Sequence, residues 1–479
     1  MEYRLLCYIF VLAHVAITII FFIIFVLLWV GPGVGLMNFA EKLNNIYFNK
    51  RDLNDEEMAS SRNLSIYEGC TARSILTLTS GSFLVGFANY LGASNQISGL
   101  ISAIPVLAGI ITVFSPVLFE RLENRKLITV LFCFIGRLLL GLMILIPFIN
   151  ISGATRITIL IATFLVANLF LASVMPSALA WVLNITPEGI RGAYYGRRES
   201  IVLGVVTIVT LVMGQVLDVF DRAGHQLNGF VVLYIFVIIT TMVNLIIFSG
   251  IKEQPNKITK NSISIINIFS KPIKSKKYMK VSLLMAIWNF GYQLAFPFTS
   301  VYMISTLKLG YGLITIMAVL ASITSVISVK FWGRLADRKS WVHLTNLMLL
   351  LQVASFLIWF FINGHTVMYL IAFAHILSGA AIAGINISMN NLQYSFSPPE
   401  NKMVFMGFSS AVNGIIGFLG TLVGSYFITL TGKYSHSHSL GKLSVGIMQL
   451  LFVIAGVMLF TGMIVSRSMM KNELNMLKQ

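Results

Sequence analysis

The sequence predicts an all-α integral membrane protein: two pseudo-symmetric six-helix bundles, twelve helices in total, preceded by one extra N-terminal transmembrane helix. Hydrophobic residues make up 57% of the 479 residues and charged residues 11%, whereas soluble chains carry about 25% charged residues. Apolar runs long enough to cross a bilayer core of about 30 Å follow one another along almost the whole chain. A short basic turn also recurs at a half-chain offset, which indicates two related bundles.

The apolar runs number thirteen and set the predicted order of elements. The first run stands apart, and the other twelve divide six and six around the polar stretch 251–279. The runs cover residues 6–30, 74–93, 97–119, 127–149, 156–181, 199–219, 229–250, 280–304, 311–331, 342–363, 367–390, 405–430 and 443–466. The predicted segments are an extra helix with a polar linker (1–65), an N-terminal bundle (66–250), a basic linker (251–279) and a C-terminal bundle with its tail (280–479).

The recurring turn is the clearest sign of internal repetition. It reads ERLENRK at Glu120–Lys126 and GRLADRK at Gly333–Lys339, and five of the seven positions differ little or not at all. The offset is 213 residues at both the first Arg and the final Lys of the turn. Two bundles around a site near the membrane midplane are a common architecture of secondary transporters.

Lysine and arginine are distributed among the loops in a way that predicts orientation. If both basic turns are cytoplasmic, 27 of the 34 Lys and Arg residues lie on that side, six lie outside, and Arg137 lies within a span. Cytoplasmic loops of membrane proteins carry this excess. We therefore expect a multi-pass protein of the cytoplasmic (inner) membrane, with its central loop and C-terminus in the cytoplasm. Anionic lipid then accounts for the net charge of +17 without a nucleic-acid partner.

The first apolar run, residues 6–30, has three interpretations. A signal peptide normally has an apolar region of about 7–15 residues, whereas this run is longer and no persuasive cleavage site follows it. A start codon chosen too far upstream is the second interpretation. We favour the third, a retained peripheral helix followed by a polar linker at 36–66, within which a short helix is an open alternative.

The second basic turn resembles the loop signature of the major facilitator superfamily, G-x-L-a-D-R/K-x-G-R/K-R/K. Ser340 stands where that signature usually has Gly, and in the first turn Glu120 and Asn124 replace the Gly and the Asp. Together with the span count and the loop charges, the resemblance covers residues from about 66 to 466. The matching residues are Gly333, Leu335, Ala336, Asp337 and Arg338.

The resemblance implies a conformational latch at this turn. A Gly allows two helix ends to approach closely, and an Asp can face the positive N-terminus of a neighbouring helix. In the family that neighbour is the fifth helix of the same half, which here begins near Lys402–Gly407. A solvated charge cluster that only sets topology is the alternative. The predicted latch residues are Gly333, Arg334, Asp337 and Arg338.

Arg137 is the cation deepest inside a predicted core span. Charges at that depth are rare and usually face the interior of a bundle. Arg137 lies about three turns from the cytoplasmic end of its span, and Glu199 lies one residue deeper than the arginines that mark the entry of another span. A ligand contact and a structural ion pair with Glu199 both remain open, and the peripheral third helix of the family favours the ion pair.

By analogy with the family, the first and fourth helices of each half line the substrate cavity. These helices are 74–93, 156–181, 280–304 and 367–390. Their polar and aromatic residues fit this role, although hydrogen bonding between helices is the alternative role of such residues. The predicted cavity residues are Asn89, Tyr90, Asn168, Trp181, Trp288, Asn289, Tyr292, Gln293, His375, Asn386 and Asn390.

Coupling to protons has few predicted carriers. All 17 acidic residues are expected in loops or near span ends, with Glu199 and Asp218 the deepest. Cation antiporters commonly use a buried Asp or Glu, and the Gly-Pro motif of drug–proton antiporters is missing from 199–219. His375 is then the leading candidate, because an unperturbed imidazole titrates near neutrality. A hydrogen-bonded structural histidine is the alternative.

These features predict secondary active or facilitative transport of a small organic solute by alternating access. A multidrug efflux exporter on the same fold remains open, as does a non-transporting membrane sensor or scaffold. The sequence has no nucleotide-binding or hydrolase motif, so we expect no enzyme activity. Its three cysteines lack metal-like spacing, and we expect no metal and no cofactor. The expected partners are the substrate, a proton or another coupling ion, and the lipid bilayer. We expect the protein itself to be a monomer.

Overall fold

The structure, a computed structural model, is almost entirely helical in the residues it describes. These are 47–48, 51–115, 119, 122, 124–187, 190–255, 265–398, 402–432, 439–440, 443–444 and 446–476. The extra helix predicted at 6–30 lies outside the described residues, as does most of the polar linker before residue 51.

Fifteen α-helices follow one another along the described chain, joined by short 3₁₀ and π segments. They are α1 Asp55–Leu78, α2 Gly81–Tyr90, α3 Asn95–Ser102, α4 Ile104–Ala108, α5 Lys126–Leu142, α6 Gly153–Asn184, α7 Arg191–Arg222, α8 Gln226–Gly250, α9 Ile265–Lys274, α10 Lys276–Val301, α11 Tyr311–Arg338, α12 Trp341–Phe361, α13 Val367–Phe396, α14 Lys402–Gly432 and α15 Ile447–Met476. The 3₁₀ segments are Gly109–Phe114 and Met143–Phe148, and the π segment is Tyr302–Thr306. A two-residue pair, β1 Ser439–Leu440 and β2 Leu443–Ser444, is antiparallel.

Eleven helical stretches of the described residues are long and apolar enough to cross a membrane. They occur in the order that the apolar runs predict, from Asn95–Phe114 to Ile447–Ile464. An α-helix pairs its backbone N–H and C=O groups within the same segment, which is what a lipid environment requires. The hydropathy of the sequence therefore located these eleven elements correctly.

The first predicted core span, 74–93, is divided between two helices. α1 begins at Asp55, well before the apolar run, and α2 begins at Gly81. Gly81 has a φ of +52°, a conformation that glycine adopts without strain. The glycine therefore permits a break between the two helices, and residues 55–66 of the predicted linker belong to a long helix.

The early start of α1 follows from a capping box. The side chain of Asn54 accepts a hydrogen bond from the Glu57 amide at 2.8 Å, and the Glu57 carboxylate accepts one from the Asn54 amide at 3.1 Å. Such a reciprocal pair satisfies amide groups that have no partner in the first turn of a helix. The Asn-x-x-Glu spacing was readable in the sequence and predicts a helix start at this position.

The chain packs into two compact units. Unit 1 contains the described residues within the ranges Met1–Ile75, Leu118–Leu203 and Tyr234–Lys260. Its apolar core is built around Trp181, Phe119 and Phe248. Unit 2 contains Leu76–Val117, Gly204–Leu233 and Asn261–Gln479, and its largest core joins α10, α12, α13 and α15 through side chains such as Phe298, Phe356 and Phe452.

Candidate functional site

The predicted cavity residues of unit 1 have internal partners. The Asn168 amide donates to the carbonyl of Phe164, one turn earlier in α6, at 2.8 Å. Trp181 is buried in the unit 1 core, where its indole N–H donates to the Lys252 carbonyl at 2.9 Å and its ring stacks on Phe248. Trp181 thus supports the end of α6 through packing and hydrogen bonding.

In unit 2, an aromatic stack runs along one face of α10. Tyr292 stacks between Trp288 and Phe296, with ring centroids 4.8 and 4.5 Å apart. Tyr292 also lies 6.4 Å from the Phe356 ring of α12. Stacked rings of this kind contribute packing energy beyond the area they bury. Phe296, at 41% exposure, is the open end of the stack.

The two amides predicted next to that stack lie on the adjoining side of α10, which packs against α14. The Asn289 amide donates to the Met285 carbonyl of its own helix at 2.9 Å. Gln293 lies against α14, where the Thr421 hydroxyl donates to its backbone carbonyl at 2.9 Å. A Cβ at Gly417 would lie 3.3 Å from the Gln293 side chain, so this glycine permits the close packing of α10 and α14.

Three predicted residues lie on α13. His375 Nδ1 is 2.9 Å from the Ile371 carbonyl, and its ring lies edge-on to Trp359 at 5.6 Å. This hydrogen-bonded arrangement is what a structural histidine would have. Asn386 and Asn390 are exposed and occupy one face of the helix, four residues apart. Their role as cavity residues stays a prediction.

Unit 1 contains a buried ionic cluster that the sequence analysis did not predict. Glu68 of α1 lies 3.0 Å from the Arg137 guanidinium and 3.7 Å from that of Arg198. Arg137 also hydrogen-bonds the side-chain oxygen of Asn244, whose amide nitrogen donates to Thr71 at 2.6 Å. The expectation that all acidic residues lie in loops or near span ends was therefore wrong for Glu68, because α1 begins earlier than the apolar run.

The partner proposed for Arg137 was also wrong. Glu199 forms its ion pairs with Arg198, at 2.7 Å, and with Arg73, at 3.8 Å. The Glu199 side chain is 53% exposed, whereas those of Arg137 and Glu68 are 7% and 11% exposed. A buried guanidinium requires a charged and hydrogen-bonded partner, and Glu68 supplies it from α1.

A second arrangement that was not predicted lies within unit 2, at the start of α11. The Asp218 carboxylate of α7 accepts hydrogen bonds from the backbone amides of Tyr311, at 2.6 Å, and Gly312, at 2.9 Å. A carboxylate at this place satisfies free amides and faces the positive end of the helix. A Cβ at Gly310 would lie 2.9 Å from the carboxylate, so the absence of a side chain there permits the approach.

Asn89 of α2 makes a further link within unit 2, to the π segment that precedes α11. Its amide nitrogen donates to the Ser305 hydroxyl at 2.9 Å, and its oxygen accepts from the Ser98 hydroxyl at 2.7 Å. Tyr90 lies beside it, 37% exposed, with its ring 6.0 Å from that of Phe230. We call this set the Asp218 clamp, comprising Asp218, Tyr311, Gly312, Asn89, Ser98 and Ser305.

The predicted latch at the second basic turn lies at the end of α11. Arg334 and Arg338 are exposed, and a Cβ at Gly333 would meet no atom within 4 Å. The side chain of Asp337 lies outside what the structure describes. A latch at Asp337 stays a prediction. Among the described residues, no group of three His, Cys, Asp or Glu side chains is arranged to hold a metal ion.

Solved structures share this fold at low sequence identity. The chain is similar to the nucleoside transporter NupG at 14% identity, with a TM-score of 0.61 and 87% and 99% of the two chains covered. A bacterial homologue of the human drug peptide transporters PepT1 and PepT2 gives 12% identity and a TM-score of 0.61, covering 88% and 100%. A bacterial homologue of the human lysosomal transporter Spinster, inward-facing and unoccupied, gives 13% and 0.59, covering 87% and 97%.

Sequence comparison gives the family directly. No match was found among curated proteins. The family model for the Major Facilitator Superfamily, in contrast, matches residues 70–421, most of the chain. It spans helices from both halves of the predicted repeat and both basic turns. The chain therefore belongs to the major facilitator superfamily, whose members are transporters and not enzymes.

Proposed function

We propose that this protein moves a small, neutral, polar organic solute across the cytoplasmic membrane by alternating access, as a secondary active or facilitative transporter. The Asp218 clamp is the observation that supports alternating access best. Within unit 2 it ties segments that precede residue 234 to segments that follow residue 300. A transporter has to break and re-form contacts between the parts of its chain that move.

The clamp has the strength that such a contact needs. Hydrogen bonds to charged groups contribute about 1.5–3 kcal/mol each, and neutral ones about 0.5–1.5 kcal/mol. Substrate or ion binding shifts a two-state equilibrium by comparable free energies. The clamp is therefore strong enough to favour one conformation and weak enough to open during each transport cycle.

The chemistry of the predicted cavity residues favours a neutral solute. Those of them that the structure leaves exposed, Tyr90, Asn386 and Asn390, are uncharged. The exposed amides of Asn386 and Asn390 offer donors and acceptors on one helix face. Nucleosides and small peptides, which the similar solved structures are described as transporting, are the first solutes to try.

The test is uptake and counterflow in proteoliposomes with a broad solute panel. We expect saturable flux of one class of neutral polar solute, and a loss of apparent affinity in Asn386→Ala. Asn391→Ala is the matched control, because the Asn391 amide donates to the Ile387 carbonyl of its own helix at 2.9 Å. Flux restricted to hydrophobic cations would instead support a multidrug exporter. Absence of flux from folded, solute-binding protein would support a sensor or scaffold.

A further inference from the structure

We propose that α9, with the lysines that follow it, is a docking surface for the anionic phospholipid of the bilayer to which the chain belongs. α9 is a separate ten-residue helix in the central linker, immediately before α10. On a helical projection its apolar residues fill one side, and Asn267, Ser270, Lys271 and Lys274 fill the other. A short helix with this segregation lies in the plane of a membrane interface.

The packing of α9 places it at the depth of an interface. The Phe269 ring contacts Phe408 of α14 edge-on, with centroids 6.1 Å apart. Phe408 is three residues into the apolar stretch that begins at Phe405, which is less than one helical turn. The apolar stretch of α10 begins at Lys276, two residues after α9 ends. α9 therefore lies level with the ends of two membrane spans.

The contact with α14 leaves apolar surface uncovered. Ile273 is 57% exposed and Phe269 is 37% exposed, whereas Pro272 between them is buried. On α14, Phe408 is held in turn by Tyr278 of α10, whose ring lies 6.5 Å from that of Phe408 and whose hydroxyl donates to the Phe405 carbonyl at 2.6 Å. The exposed apolar side chains thus have a fixed position from which they can enter the acyl boundary of a bilayer.

The positive charge of the lysines beside this surface favours an anionic lipid as its occupant. Lys274, Lys276 and Lys277 are exposed beside the apolar side chains. No Asp or Glu occurs anywhere between Gln254 and Ala336, so no acidic residue of this stretch offsets the lysines. Long lysine side chains can keep their ammonium groups at the headgroup level while their stems cover apolar surface. An anionic lipid surface supplies both the apolar boundary and the negative charge.

The test uses the full chain in lipid nanodiscs. Cys7, Cys70 and Cys133 are replaced by Ala, and Ile273→Cys carries an environment-sensitive fluorophore. Its emission and its quenching by spin-labelled lipid are followed as phosphatidylglycerol replaces phosphatidylcholine. Each lysine near an anionic surface changes the partition by about fivefold. We therefore expect Lys274→Gln/Lys276→Gln/Lys277→Gln to require a much larger phosphatidylglycerol fraction for the same insertion, and added salt to imitate this change.

The charge-conserving triple variant Lys274→Arg/Lys276→Arg/Lys277→Arg is the matched control and should insert like the parent protein. Gel filtration and thermal unfolding establish that each variant is folded. Equal insertion of the Gln and parent proteins at every lipid composition would overturn the proposal, as would loss of insertion in the Arg variant. Inorganic phosphate that produces the same fluorescence change in pure phosphatidylcholine would assign the lysines to a soluble anion and also overturn it.

Discussion

The buried ionic cluster of unit 1 and the main core of unit 2 are built from different chemistry. Unit 1 buries ions: Glu68 lies between Arg137 and Arg198, with Asn244 completing the cluster. The main core of unit 2 is held by aromatic stacking and by neutral hydrogen bonds. Examples are the Tyr302 hydroxyl donating to the Ile362 carbonyl at 2.7 Å and the Ser378 hydroxyl donating to the side chain of Gln352 at 3.2 Å.

This difference predicts in which unit a substitution destabilises the protein most. Desolvation of two charges offsets much of their attraction, so a buried ion pair gives little net stability. Loss of one partner, however, leaves the other as an uncompensated buried charge. A neutral hydrogen bond in unit 2 carries no such penalty beyond about 1 kcal/mol. The same kind of substitution should therefore cost several times more in unit 1 than in unit 2.

The largest effect is expected at Glu68. Glu68→Gln leaves the buried Arg137 without the carboxylate that neutralises it, and losses of this kind cost about 3–5 kcal/mol. Thermal and denaturant unfolding in detergent measure the cost. Glu199→Gln is the control, because its side chain is 53% exposed and exposed pairs contribute about 0–1 kcal/mol. Equal effects of the two variants would remove the distinction between the buried and the exposed carboxylate.

A double variant that also replaces Arg137 sharpens this result. Arg137→Met combined with Glu68→Gln removes the buried pair together and leaves Arg198 with its exposed partner Glu199. Replacement of a buried pair by neutral groups is often close to neutral in stability. We therefore expect the double variant to recover part of the stability that either single variant loses. Strict additivity in this double-mutant cycle would show that the two side chains are not coupled.

The sequence predicted the apolar elements of this fold far better than its polar contacts. About twenty consecutive apolar residues identify a membrane span by themselves, which is why eleven stretches were located correctly. Glu68 was missed because α1 extends beyond its apolar run, although the Asn54–Glu57 capping box marks the true start. Tyr311, whose amide binds Asp218, lies 93 residues away in sequence, and no local sequence pattern predicts such a distant contact.

The identities of polar residues also did not predict which face of a helix they occupy. Asn289 and Gln293 were grouped with Trp288 and Tyr292 as cavity residues, but the two amides lie on the side of α10 that packs against α14, whereas the two rings stack on the adjoining side. An amide is compatible with a solute cavity and with a helix interface alike. Only the positions of α12 and α14 around α10 distinguish the two environments.

The next largest effect is expected at the Asp218 clamp. Asp218→Asn removes the charge that faces the start of α11, and bonds to charged groups contribute about 1.5–3 kcal/mol. The clamp should open about tenfold more often as a result. Ala88→Cys, whose position is fully buried beside Asn89, reports this opening through its rate of maleimide modification. Asp221→Asn, at an exposed position one turn away, should leave the rate unchanged, and an equal rise in both variants would contradict a specific clamp.

His375 should have a smaller effect on stability and a selective one on transport. His375→Gln removes one hydrogen bond to the α13 backbone, a cost of about 1 kcal/mol. If accumulation of solute follows a pH gradient, this variant should abolish it while exchange survives. His343→Gln is the control, because His343 is exposed at the start of α12. Continued accumulation in His375→Gln would eliminate this residue as the carrier, and a wild type indifferent to the gradient would indicate a uniporter or another ion.

The smallest effect is expected at Glu57, which lies on α1 eleven residues before Glu68 and, at about three turns, on nearly the same face. Its carboxylate accepts hydrogen bonds from Lys252 at 2.8 Å and from the Asn54 amide. These bonds lower the pKa of Glu57 to about 2. A pKa below its unfolded value means that the contribution to stability is present above the unfolded pKa of about 4.3 and is lost as the pH falls toward 2. The difference in melting temperature between wild type and Glu57→Gln should therefore be small near neutral pH and shrink on acidification. A difference that grows as the pH falls would contradict this prediction, because the ion pair of Glu57 with Lys252 would then not be the interaction that stabilises the wild type.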